Sequence, residues 1–422
     1  DMVHAQSFYS LLPGFNFPVR TLFYDTVGGT LYAGGDFWKL YNGTAMNYIS
    51  RWNGTNWDSL GYGLDAHALS IVRYNNQIIA GGTFNFAGSQ VCRGLAIWDG
   101  NNWVHFADTK SPSGYGCVWA LFVDGNDLYV GGCFDSINGI YSIGFARFDG
   151  TSWYSYPPLG FVHAINKFNG EIYVGGDFNV GVGKKDFVKW NGTNWTSVGG
   201  SFSGLNSNVS CMTVFQGQLY VGGYFFSSQG DPGNNIASWN GTSWSQPGSG
   251  VFPWNVLGMH VFKNELYIGG QINDAGGIPV TGIAKWDGFN WYSLGSTFDN
   301  NSGCFASNNN DLYIGGGFGT INGDTMMYIT RYSPPLGVQE NTWNTSGITL
   351  TPNPANGNFS LTSLFYTIES TRIYDFSGKI IFSNNKVLSN SYECKLNAPD
   401  GIYIAEVFIN GNGYRSKMVV TH

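Results

Sequence analysis

Short apolar runs alternating with polar residues recur at a steady interval along the first three quarters of the chain. One period starts with the strand-like Ala68-Leu69-Ser70-Ile71-Val72, passes a polar turn at Asn75-Asn76, and enters Ile78-Ile79-Ala80-Gly81-Gly82. A loop rich in Asn, Gly and Ser follows, and then Ile97-Trp98-Asp99-Gly100-Asn101-Asn102-Trp103. Runs of this length, bounded by turn residues and with no helical period, predict strands. The diglycine that closes the second strand occurs at 34–35, 81–82, 131–132, 175–176, 222–223, 269–270 and 315–316, in steps of 47, 50, 44, 47, 47 and 46 residues. A fixed interval of this size marks one supersecondary unit per period. Each period therefore predicts a four-stranded antiparallel meander.

The last two strands of a period are joined by Asn-Gly or Asp-Gly, as in Trp52-Asn53-Gly54…Trp57 and Trp286-Asp287-Gly288…Trp291. Such a dipeptide between apolar residues predicts a two-residue type I′ turn. On that geometry Trp52 pairs with Thr55, and both tryptophans project from one face of the sheet. The glycines leave room for bulky groups to approach the backbone, so the tryptophan pair of one sheet is expected against the glycine strand of the next.

Seven diglycine strands are matched by only six complete hairpins, because the seventh period stops at Ile329-Thr330-Arg331-Tyr332-Ser333-Pro334. The missing outer strand lies at the other end: Phe8-Tyr9-Ser10-Leu11-Leu12 aligns with Trp57-Asp58-Ser59-Leu60-Gly61, and Pro13-Gly14-Phe15 with Tyr62-Gly63-Leu64. The expected architecture is all-β: seven four-stranded blades in a ring, with the N-terminal strand closing the last blade and removing free edges. The diglycine strand, the aromatic after it and the later Trp resemble the kelch-type β-propeller over residues 6–334. The Trp-Asn/Asp-Gly-x-x-Trp hairpin, shorter and with an extra Trp, departs from that pattern. The resemblance implies a seven-bladed propeller and is nearly silent on function.

After Pro334-Pro335 the period stops, and residues 335–345 read as a linker. Residues 346–422 alternate in short strands, a small all-β sandwich by pattern. Within it Pro352-Asn353-Pro354-Ala355-x-Gly357, Tyr374-Asp375-x-x-Gly378-Lys379, Gly401-Ile402-Tyr403 and Lys417-Met418-Val419-Val420 follow in order. These motifs resemble the type A sorting domain of the type IX secretion system of Bacteroidota, with an Ig-like module as the alternative. The resemblance makes Pro352, Asn353, Pro354, Asp375, Gly378, Lys379, Gly401, Tyr403 and Lys417 the sorting-signal residues. It implies export across the outer membrane, with the shuttle, translocon and sortase of that system as partners, and attachment to the surface or release.

Composition narrows the classes further. Of 422 residues 11% are charged and 17% aromatic, with a net charge of -7, which argues against nucleic acid or an acidic membrane as partner. No apolar run is long enough to span a bilayer as a helix. Val3-His4-Ala5 before Gln6 resembles the end of a signal-peptidase site, or is an ordinary terminus. The six cysteines, at 92, 117, 133, 211, 304 and 394, include no CxxC, so neither zinc nor another metal is expected. Cys117 begins an inner strand and Cys133 ends its partner, with Cys92 on the same face. A disulfide is expected within that trio, while Cys211 and Cys304 share a register two blades apart, too far to bridge.

No catalytic constellation is legible and no cofactor is expected. Gly34-Gly35-Asp36-Phe37 and Gly175-Gly176-Asp177-Phe178 share a cyclase-like signature, yet are two of seven repeat positions with a variable third residue. The six histidines fall at different repeat registers. Four Asp-Ser/Thr-apolar triplets resemble a Bacteroidota O-glycosylation sequon and make Thr26, Ser59, Ser136 and Thr325 candidate modification sites. The hairpin tryptophans admit two readings, packing between sheets at a fixed register or platforms for sugars. Binding chemistry is sought in the variable loops 85–94, 135–144, 179–186, 226–235 and 272–282, which a rigid scaffold would gather on one face. The expected function is a secreted or surface-displayed module that binds a glycan or surface polymer. The alternatives are self-association into a surface layer or filament, or a polysaccharide-active enzyme.

Overall fold

The structure, a computed structural model, describes residues 8–112, 114–181, 185–199, 208–229, 231–334, 348–351, 358–363, 366–375, 379–409 and 412–420. The chain is all-β and divides into two compact units, Asp1–Ser333 and Pro334–His422. In the first unit seven antiparallel four-stranded paths follow one another along the chain. The second is Ala68–Tyr74, Gln77–Gly82, Gly94–Trp98 and Trp103–Ser111; the seventh is Ser302–Ser307, Leu312–Gly316, Ile329–Tyr332 and, from the other end of the chain, Phe8–Ser10. There Phe8 pairs with Tyr332 and Ser10 with Thr330.

The turns differ from expectation in an instructive way. The link between the first two strands is the one with two successive positive-φ residues, as at Asn75 and Asn76 (46° and 64°) or Lys263 and Asn264. In the Trp hairpins only the glycine is at positive φ, 104° at Gly54, and Trp52 pairs directly with Trp57 across a four-residue loop. The reason is the side chain before the glycine. Asn53 Oδ1 accepts the N–H groups of Thr55 and Asn56, and Asp99 Oδ1 those of Asn101 and Asn102. This Asx capping favours the longer loop over the type I′ turn. The tryptophans still share a face, now as direct opposites with ring centroids 5.3 Å apart at Trp52 and Trp57.

The diglycines set how sheets approach one another. None of them has positive φ, so their role is steric. A Cβ on the first glycine would meet the first strand of the following sheet: Gly34 at 2.7 Å from Ala68, Gly131 at 2.4 Å from Val162, Gly175 at 2.4 Å from Val209. The series ends with Gly315, 2.8 Å from Val19 of the first sheet. A Cβ on the second glycine would strike a carbonyl of its own sheet's first strand, 2.0 Å from Cys117 at Gly132 and 1.9 Å from Phe161 at Gly176. That carbonyl stands beside a bulge, where the register skips a residue between Val118 and Ala120 or Val162 and Ala164. First strands contact one another in chain order, and Ser302–Ser307 contacts Val19–Asp25.

Side chains of the next first strand, not tryptophans, thus occupy the space over the glycines: Ala, Val or Ser in most sheets, joined by Met259 at Gly222 and Phe305 at Gly269. The tryptophans bind further out. The indole N–H of Trp103 donates to Leu60 O of the preceding sheet (2.8 Å), that of Trp244 to Val198 O (2.9 Å), and that of Trp57 to Leu11 O at the end of the N-terminal strand (3.1 Å). The N-terminal segment also reproduces a loop contact. A Cβ at Gly14 would lie 2.6 Å from Met327 Cβ, and one at Gly63 would lie 2.6 Å from Asn47 Cβ.

In the second unit, strands Ile348–Thr351, Asn358–Ser363 and Ser391–Lys395 form one sheet, and Ile380–Asn384, Ser370–Tyr374, Gly401–Ile409 and Asn412–Val420 another. Phe359, Leu361 and Cys394 from the first share a core with Ile373, Ala405, Val407 and Met418 from the second.

Gly131→Ala is expected to destabilise the protein by about 1–3 kcal/mol through overpacking, and Val162→Ala in the same chain should recover part of that loss. Gly132→Ala should not be recovered, because its obstacle is the Cys117 carbonyl. Denaturant midpoints of the four variants check this, and equal rescue of both glycine changes would contradict the steric account.

Candidate binding face

Antiparallel pairing places the loop after each diglycine strand at the same end of its sheet as the loop entering the next first strand. These loops are clasped to each other. Asn16 Oδ1 accepts the N–H groups of Trp38 and Lys39, Asp65 Oδ1 those of Asn85 and Phe86, and Asp299 Oδ1 that of Gly319. The preceding residues, Phe15, Leu64 and Phe298, are buried and bridge to Leu40, Ala87 and Ile321. Two residues past the diglycine an apolar side chain is buried as well, Phe37, Phe84, Phe134, Phe178, Phe225, Ile272 and Phe318 in turn. The residue between points the other way, by the two-residue period of an extended chain, and lies at the rim.

Rim chemistry changes from sheet to sheet. In the third sheet Cys133 occupies this position and forms a disulfide with Cys117, which directly precedes the first strand, with Cα atoms 5.0 Å apart, while Cys92 is free and buried. Cys211 and Cys304 are also free, each directly opposite the first glycine of its diglycine, with thiols pushed up by burial. In the first sheet Asp36 pairs with Arg20 at 2.6 Å and with His67 of the second sheet at 3.0 Å. In the fourth, Phe161 faces Asp177, and the His163 ring stacks on Trp119 at 4.5 Å.

Two groups of aromatic side chains stand apart, beside scattered exposed rings such as Tyr9, Tyr154 and Phe289 elsewhere. The hairpin tryptophans are buried or half-buried and belong to the cores between sheets. Phe17, Trp38, Tyr41, Tyr62, Phe86, Tyr141, Phe161 and Trp254 stand exposed on the loop face, with Trp38 43% and Trp254 56% accessible. Phe17 and Trp38 lie 4.8 Å apart, and Tyr224 lies near-parallel to Trp254 at 6.2 Å.

Between the sixth and seventh sheets a cavity of about 280 Å³ opens beside Trp254, lined also by Gln271, Asn273, Thr281, Phe298, Asp299, Asn300 and Asn301. Only 272–282 of the loops singled out in the sequence contributes to it. Pro253 and Trp254, in a first strand, and Phe298 to Asn301, in the loop entering the seventh sheet, were not legible as site residues. Their one sequence signal is the apolar-Asx pair Phe15-Asn16, Leu64-Asp65 and Phe298-Asp299 ahead of a first strand. Residues 182–184 and 230 of the predicted loops lie outside the described residues.

The candidate modification sites do not come together. Thr26 is exposed in a turn after the first strand, at the opposite end of its sheet. Its neighbour Asp25 is buried and paired with Arg73 of the second sheet at 2.5 Å. Burial opposes the Asp25 charge, but hydrogen bonds from Arg73 and the N–H groups of Val27 and Gly28 hold its carboxyl below the usual range. Ser59 is exposed on a fourth strand, whereas Ser136 and Thr325 sit in two-residue strands within loops of the candidate face.

Of the sorting-signal residues, Pro352, Asn353, Pro354 and Gly378 lie outside the described residues. Asp375 bonds to Lys379 twice, its N–H donating to Lys379 O and its Oδ1 accepting the Lys379 N–H. Gly401 begins a strand in which Tyr403 is buried and donates to Pro399 O, and Lys417 pairs with Ile404 in the last hairpin.

Residues 349–421 match the family of secretion system C-terminal sorting domains. That domain marks the protein for export by the type IX system across the outer membrane, to the cell surface or the extracellular space. No curated protein matches the chain. Among solved structures, the computationally designed Ika8 protein is 12% identical over 97% of this chain and 99% of its own, with a TM-score of 0.29.

Two histidines in first strands are expected to make the unit's stability depend on pH. Burial lowers His163, with Asp177 pulling the other way, and burial takes His260, whose Nε2 is 2.8 Å from Ser307 Oγ, down to about 4. A folded-state pKa below the unfolded value of about 6.5 means that the folded chain binds fewer protons, so their contribution to stability is lost as pH falls below about 6.5. Thermal midpoints from pH 7 to pH 4 should fall less steeply in H163N/H260N than in the parent. Parallel curves would show that neither histidine is held neutral.

Proposed function

We propose that residues 6–334 form a closed seven-bladed β-propeller, kelch-like in blade pattern, that acts outside the cell as a binding or adhesion module for a glycan or surface polymer. A linker at 335–345 joins it to a sorting β-sandwich over 346–422, which engages the translocon, shuttle and sortase of the type IX system. Support for the ring comes from the steric series that begins at Gly34 with Ala68 and returns at Gly315 to Val19. Support for binding comes from one observation above all. The chain buries its repeating tryptophans, yet leaves eight aromatic side chains exposed on the clasped loop face.

A surface of fixed loops carrying uncovered aromatic rings suits ligands with both apolar faces and hydroxyl edges, and sugars have that chemistry. No catalytic role is assigned to any residue. The clasps make the loops a pre-formed surface, which lowers the ordering cost of binding.

The test is the full-length protein on a broad array of glycans and polysaccharides, with Trp38→Ala and Trp254→Ala alongside. Saturable binding weakened by either change is expected. A blank array from a folded, monodisperse protein would overturn the glycan reading, and concentration-dependent filaments in the electron microscope would favour a structural subunit instead.

A further inference from the structure

Resting on that reading, we propose that the cavity beside Trp254 is a binding subsite for a neutral pyranose ring, and that it discriminates against acidic sugars. Its platform is Trp254, which borders the cavity and lies near-parallel to Tyr224 with ring centroids 6.2 Å apart. Phe298, nearly fully buried, forms apolar wall of the same cavity.

Around the platform stand hydrogen-bonding groups with spare capacity. The side-chain amides of Gln271 and Asn273 are exposed and bond to no described residue. Each offers two N–H donors and a carbonyl acceptor, a set that matches vicinal hydroxyls, which donate and accept. Asp299 spends Oδ1 on the Gly319 N–H, which leaves Oδ2 as an acceptor fixed by the loop clasp. A carboxylate held this way suits a hydroxyl donor and repels a second carboxylate.

Charge decides the ligand class. Among the described residues no Lys, Arg or His lines the cavity, and the one ionisable group there is the Asp299 carboxylate. A uronate, sialate or sulfate ester brought here would lose water without gaining a cation, and burying such a charge unpaired is unfavourable. At about 280 Å³ the space lies just below the range for small-molecule sites, roughly 300–1,000 Å³, which fits one or two rings rather than a long chain segment.

The experiment is equilibrium binding of the full-length protein to cellohexaose, laminarihexaose, mannohexaose and hexagalacturonate, by calorimetry. At least one neutral hexasaccharide should bind, and hexagalacturonate should bind more weakly than it. Trp254→Ala should weaken the neutral ligand about tenfold or more, as truncation of an aromatic anchor does, with Trp254→Phe falling between the two. Asp299→Asn keeps the acceptor for the Gly319 N–H and should narrow the gap between neutral and acidic ligands. Since Trp254 is exposed, unchanged melting of Trp254→Ala would show that the loss is local. Neutral binding that survives Trp254→Ala overturns this subsite and leaves the glycan reading standing. Hexagalacturonate binding as tight as the neutral ligand overturns the charge selection. If no probe binds and the glycan array is blank too, the broader reading fails and the subsite with it.

Discussion

Where a diglycine ends a strand, two backbones come closer than any side chain permits. The first glycine admits side chains from the following sheet, Val, Ala or Ser in most cases and Met259 at Gly222, and the second admits a carbonyl beside a bulge in its own sheet. Neither requires unusual φ, so any residue could adopt the conformation and none with a Cβ could fit the space. Other features of the first unit follow from that spacing. It fixes the distance between successive first strands, and the bulge it accommodates turns one residue of each first strand, such as Arg20, Trp119 or His163, out of the ladder. Beside it the chain continues as glycine-x-apolar, the apolar residue being Phe in six sheets and Ile272 in the sixth. That side chain anchors the loop in the core and the middle residue is left at the rim, free to differ from sheet to sheet.

Tryptophans then secure the outer part of each sheet. A hairpin as short as Trp57–Ser59 opposite Ile49–Trp52 has few ladder hydrogen bonds of its own. Each indole N–H bonded to a carbonyl of the preceding sheet adds about 1 kcal/mol net, and the buried ring adds apolar area. Because these rings are committed to packing, they are not available as ligand platforms. The aromatics exposed on the loop face are a separate set, carried by loops and sheet ends.

The sequence made the repeat and its phase readable because diglycine, Trp and Asn-Gly are scarce residues in fixed order. The pairing of Phe8–Ser10 with Ile329–Tyr332 was readable for the same reason: a missing strand at one end matched a surplus one at the other. Two local geometries were not. The Asn-Gly dipeptide points equally to a type I′ turn and to an Asx-capped loop, and the choice rests on whether the Asn carboxamide reaches the next two N–H groups. What fills the glycine gap depends on the register between sheets, which no single period contains. The cavity beside Trp254 was hidden for a related reason, since it is assembled from a first strand, a diglycine loop and the entry to another sheet. Trp254 breaks no pattern in one dimension; only its exposure sets it apart.

Most strand pairs in the first unit are local, joined by short turns within one period. The seventh sheet is the exception, because its fourth strand comes from residues 8–10 and its other three from 302–332. Contacts of such long sequence separation require loop closure before they return any stabilisation. The contacts of Val19 with Gly315, Gly14 with Met327 and Trp57 with Leu11 all lie at this junction, so several independent interactions form together once the two ends meet. Steric fit, loop clasp and indole bond are the same three devices that join the sheets elsewhere. Repeating them at the junction makes the pairing of chain ends as well supported as any pairing within the repeat. It also means that the N-terminal strand acts through position as much as sequence: Phe8 stands where the other sheets carry Trp, and meets Tyr332 and Phe298 with ring centroids 4.9 and 5.7 Å away.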